Sequence, residues 1–170
     1  MIRLSVPTAK ALLKFASSDK HQPNLYGIGI TSQGLATTDG FAAVQFSLPC
    51  PIPPELAGRT VDRKYFETST KIAAVTKSEL VINTENLIDE QLAFPRVSAI
   101  TPKQRQPSLP GVELVDGLIR INPQYLALLD LVAVACETQH VVLSSVQSDG
   151  PLRFDVTGDK QSAIVIISQG

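Results

Sequence analysis

A chain of 170 residues with 44% apolar and 18% charged side chains can bury one sizeable core and is too apolar to stay disordered. No apolar run nears the roughly 18 residues of a membrane span, and Met1-Ile2-Arg3-Leu4 leads straight into folded-looking chain, so a cytoplasmic protein with no membrane partner is expected. A net charge of −1 excludes a uniformly basic nucleic-acid binder.

Ile2, Leu4 and Val6 alternate as a short strand, and Pro7 then stands where a helix starts, with Thr8 as a capping candidate. Ala9, Leu12, Leu13 and Ala16 mark one side of a helix running to about Ser18. Lys10 and Lys14, four apart, mark the other side, and Pro23-Asn24 ends the segment. Leu25 to Leu48 reads as a meander of three antiparallel strands with corners at Ser32-Gln33-Gly34 and Asp39-Gly40. Asp-Gly is the strongest short hairpin signal, because both residues tolerate the backbone twist that a tight hairpin needs. Small or apolar residues occupy both parities of the first strand, so burial on both faces is expected there. In the last strand Ala42, Val44, Phe46 and Leu48 share one face. Residues 1–48 thus form a unit of strand, helix and three strands.

Pro49, Pro51, Pro53 and Pro54 make a stiff surface crossing, and the pattern restarts in a shortened unit over residues 58–100. Arg59-Thr60-Val61 is a short strand and Asp62 an N-cap. A helix from about Arg63 to Thr76 is expected to bury Phe66, Ile72, Ala73 and Val75 and to expose Arg63, Lys64 and Lys71. Leu80, Val81 and Ile82 form a strand after it, and Phe94-Pro95-Arg96-Val97 leads into a connector with three prolines at residues 101–111. The last unit, residues 113–170, begins with a strand at Gly117 to Ile121, a cap at Asn122 and Pro123 in the first helical position. Its helix, to about Glu137, has no Lys or Arg and is apolar nearly all round, so it is expected to be sandwiched. Strands at Val141–Gln147, Leu152–Val156 and Ser162–Ser168 close the chain.

Catalytic groupings are sparse. Cys136 and His140 lie four apart with Asp130 nearby, but a nucleophilic thiol needs an open, oriented position, and Cys136 sits in an apolar helix. Asp149, Asp155 and Asp159 fall in separate segments without the spacing of a cation loop. No glycine-rich loop followed by lysine is present to cradle phosphate. Cys50 and Cys136 have no metal-like neighbours and are expected to stay unpaired. The residues point to a non-enzymatic protein without metal or cofactor.

Three segments taken together resemble the DNA polymerase sliding clamp of bacteria, and in particular short clamp-like proteins of phages or mobile elements. ATTDGFAAVQFSLP resembles the family's Thr-Asp-Gly corner, FPRVSAITP its phenylalanine-proline segment, and INPQYLALLDL with the strands to Ser168 the second half of a clamp domain. Phe41-Ala42-Ala43 stands where the family often places a basic residue, and the chain has room for little more than one of the three domains of a bacterial subunit. The resemblance implies one α+β, DNA-clamp-like domain over residues 1–170, with helices packed on antiparallel sheets. It implies a homo-oligomer joined through sheet edges, in contact with duplex DNA and with a DNA polymerase or other replication protein.

Charge distribution fits such a partner. Residues 1–77 hold nine Lys and Arg against five Asp and Glu, a net of +4, while residues 78–170 hold six against eleven, a net of −5. A clamp encircles DNA without reading bases, so it needs cations on its helices and nothing that locks register. Lys10, Lys14 and Lys20 on or just after the first helix, and Arg63, Lys64 and Lys71 on the second, are the candidates. The alternative keeps the fold as a protein-interaction module that forms no ring and binds no DNA.

Overall fold

Ser5 sets the start of the first helix. In the computed structural model, which describes residues 1–88, 123–145 and 151–167, strand β1 (Ile2–Leu4) buries Ile2 and Leu4 and hands over to helix α1 (Val6–Phe15). The Ser5 hydroxyl accepts the Thr8 amide at 3.3 Å and lies 2.8 Å from the Thr8 hydroxyl. Ser5 is therefore the cap, and Thr8, expected to cap, is fully buried in the first turn. The helix also ends earlier than Ser18, because Ala16 turns to extended backbone.

Leu25 and Tyr26, expected to open the meander, belong to a single helical turn, α2 (Pro23–Tyr26). The three strands are β2 (Ile28–Ile30), β3 (Gly34–Thr38) and β4 (Ala42–Ser47), paired antiparallel in sequence order. Every residue of β2 is buried. Asp39 and Gly40 make the second corner as expected: Asp39 Oδ1 accepts the amides of Phe41 and Ala42, each at 2.8 Å, and Gly40 takes φ +96°.

The proline-rich crossing is pinned by Leu56, which is fully buried. It leads to β5 (Thr60–Val61), which pairs with β2, and to helix α3 (Arg63–Thr76). Asp62 Oδ1 caps that helix through the Tyr65 amide at 2.8 Å. Lys77 ends it in the left-handed conformation, and β6 (Leu80–Ile82) then pairs antiparallel with β1. The buried residues of α3 are Phe66, Thr70 and Ala73, at i, i+4 and i+7. At 3.6 residues per turn Val75 falls on the opposite side from that stripe and Ile72 on its flank, so both are exposed, at 84% and 58%, rather than buried as expected.

Helix α4 (Pro123–Ala135) precedes β7 (Val142–Ser145), β8 (Leu152–Thr157) and β9 (Ser162–Ile167). These strands form a second meander, and β9 pairs with β4 along its length, Val44 opposite Val165 and Phe46 opposite Ala163. The seven-stranded order β5-β2-β3-β4-β9-β8-β7 therefore places the two meanders back to back about the β4–β9 seam. Leu35, Val44, Phe46, Phe154, Val156 and Val165 share the face that the helices cover and make the core with Leu12, Phe15 and Val132. The expected strand at 117–121, the connector at 101–111 and the turn at 148–150 lie outside the described residues.

Helix α1 is the middle of the helical layer. Arg63 at the start of α3 reaches the carbonyls of Ala16 and Ser17 at the end of α1, so those two helices run antiparallel. Gln161 bridges Thr8 at the start of α1 to the carbonyl of Ala135 at the end of α4, so α4 is antiparallel to α1 as well. α1 supports α4 on one side only. Leu126 and Val134 are consequently exposed, at 51% and 55%, and the expectation of a helix sandwiched all round does not hold. Among the described residues no helix is long and apolar enough to cross a membrane.

Candidate nucleic-acid interface

The basic residues of the first two helices meet in a groove. Lys10, Leu13 and Lys14 of α1 face Arg63, Glu67, Thr70, Lys71, Ala74 and Val75 of α3 across an open cleft of about 540 Å³. The antiparallel arrangement sets Lys14 near Arg63 at one end and brings Lys10 toward the Lys71 end. Lys10 and Lys14 lie one turn apart, about 6 Å along the axis. Neither makes an ion pair among the described residues. Lys71 does: its Nζ is 3.0 Å from Glu67 Oε1 on the same helix, and this hydrogen bond, with the lysine's charge, holds the Glu67 carboxyl below its usual range.

Of the six cations picked out in the sequence, Lys10, Lys14 and Lys71 line the groove, Lys10 and Lys14 without an ion pair among the described residues and Lys71 paired with Glu67. Arg63 lines it but is held by the protein itself. Its Nη1 donates to Ala16 O at 3.1 Å and Ser17 O at 2.6 Å, and the guanidinium sits 5.2 Å from the centre of the Tyr26 ring. Arg63 thus satisfies the free carbonyls at the end of α1, a structural duty that helical spacing did not reveal. Lys64 lies on the same stripe of α3 as Lys71, about 10 Å toward its start, exposed but outside the groove lining. Lys20 is exposed in the turn after α1, also outside it. The groove's apolar members, Leu13, Ala74 and Val75, and the Glu67 carboxylate were missed as site residues; the i,i+4 spacing of Glu67 and Lys71 is the signal that shows the pair.

The third helix continues this surface differently. Leu126, Asp130 and Val134 recur at i, i+4 and i+8 along the exposed side of α4, with no cation among them. The helical layer therefore carries positive charge over α1 and α3 and an apolar stripe with one carboxylate over α4.

Cys136 is fully buried, and burial pushes its thiol up to about 11 while a contact from the Gln161 side chain lowers it by less. His140 is exposed beyond the helix end, its amide bonded to the Thr138 hydroxyl. Asp155 is engaged by Arg153 at 2.8 Å. Among the described residues no group of three or more His, Cys, Asp or Glu is placed to hold a metal ion. No protein-family model and no curated protein matches the chain.

Proposed function

We propose that this protein is sliding-clamp-like: a non-catalytic homo-oligomer that associates with duplex DNA without sequence specificity, through the helical face of its sheet. The observation that carries the reading is the convergence of Lys10, Lys14 and Lys71 from two helices on one open groove. Lysine is a point charge on a flexible stem, suited to phosphate contact that carries no base preference. An α+β chain with helices packed on an antiparallel sheet is also what the resemblance to a clamp domain leads one to expect.

Self-assembly is assigned to β7, which among the described residues ends the seven-stranded sheet and carries an exposed Val142. The other end is already covered, because Val61 bridges Leu87 and the Ile88 amide donates to Thr60 O at 2.9 Å. Pairing of β7 with β7 alone gives a twofold dimer, so a ring needs a second interface on each subunit; a ring closed in that way is linked to a closed circle topologically and slides off a cut one. Retention on closed circular duplex, lost when the circle is linearised, is the expected result; equal retention on both forms would contradict encirclement. A second reading, a clamp-fold module that binds a protein and no DNA, is favoured by the apolar stripe on α4. It predicts no retention on either form.

A further inference from the structure

We propose that the α1–α3 groove also docks a protein partner: an acidic, amphipathic segment bound as a helix along the cleft. Phosphate contact explains the lysines at the groove's rim but not its apolar members. Val75 is 84% exposed and lines the cleft with Ala74 and the half-buried Leu13. An exposed valine gains nothing from a sugar-phosphate backbone, whereas covering it with another apolar side chain favourably removes its surface from water. The cleft between the two helices holds about 540 Å³, and an amphipathic helix laid with its apolar face in a groove is a recurrent mode of recognition.

Charge selects the partner. Lys71 is balanced by Glu67, whereas Lys10 and Lys14 have no ion pair among the described residues. A segment presenting apolar anchors to Leu13, Ala74 and Val75 and carboxylates to Lys10 and Lys14 satisfies both parts of the cleft. A basic or neutral helix would leave the α1 cations uncompensated. Such a segment shares its lysines with DNA, so the two ligands would exclude one another. The inference stands on the groove's own lining and does not depend on the DNA reading.

The test uses the full chain and a fluorescent synthetic helical peptide with leucines at i, i+4 and i+7 flanked by glutamates. A control peptide has every leucine replaced by serine at unchanged charge. The leucine peptide is expected to bind about tenfold more tightly than the control, the equivalent of roughly one covered apolar side chain. Val75→Ser, at a position too exposed to disturb folding, is expected to cost about fivefold in affinity for the leucine peptide while leaving affinity for the serine control peptide unchanged. Lys10→Glu is expected to weaken both ligands. Equal binding of the two peptides, or a Val75→Ser variant that binds the leucine peptide like the parent, would overturn the docking site. Duplex binding without any peptide binding would overturn it too, and would leave the DNA reading standing.

Discussion

Arg63 illustrates how one side chain changes meaning between sequence and structure. On a helical wheel it is one more exposed cation beside Lys64, yet its guanidinium fastens the start of α3 to the end of α1. Arg63→Ala removes two hydrogen bonds from a charged donor and the contact with Tyr26, so it is expected to destabilise the fold by about 1–3 kcal/mol in urea denaturation. An unchanged midpoint would show that the clasp is idle. The contact spans more than forty residues of sequence, which is why local spacing could not announce it. Cys136 is the opposite case, since its apolar helix already argued for burial. Its raised pKa means that the folded state holds the proton more tightly than the unfolded chain. That contribution is present in full below pH 9 and is lost as the pH climbs toward about 11. Iodoacetamide at pH 8 is expected to label the exposed Cys50 in the native protein and Cys136 only after unfolding. Gly158 has a tighter role, because a Cβ there would collide with the Cys136 carbonyl group. Backbone cannot yield as a flexible side chain does, so Gly158→Ala is expected to cost more than about 3 kcal/mol.

Elements were legible where their ends carry chemistry. The bounds of α3 followed from the Asp62 cap and the periodic run, and the hairpin at Asp39-Gly40 from its turn residues. Which side of a helix faces the core was harder, because that depends on how far the neighbouring element reaches. Of the four residues of α3 expected to be buried, Phe66 and Ala73 take the narrow contact while Ile72 and Val75 do not. Phe66→Ala is therefore expected to destabilise by about 3–5 kcal/mol, and Ile72→Ser by less than about 0.5 kcal/mol, in the same denaturant series. Comparable losses at both positions would place the buried face wrongly. The same reasoning applies to α4, whose uniform apolar character hid the fact that α1 covers only one flank. Leu126 and Val134 are left at the surface on either side of Asp130.

At the scale of the whole molecule, the seam between β4 and β9 joins residues more than a hundred positions apart. Each meander could be read in the sequence, but their pairing could not, since register between distant strands is set by which faces must be buried together. That seam fixes the helical layer, and the layer brings Lys10 and Lys14 opposite Lys71. The uneven charge of the two halves of the chain becomes a local fact at this groove, while the exposed side of α4 adds only Asp130. In the proposed complex these lysines would contact phosphate and release condensed counterions, so affinity for duplex DNA should fall linearly with salt on logarithmic axes. The most direct test is that slope, measured on closed circular duplex for the parent and for Lys10→Ala, Lys14→Ala and Lys71→Ala. Each substitution is expected to lower the slope by roughly 0.9 without altering sequence preference. A slope that stays at the parent's value in all three variants would contradict a DNA-facing groove.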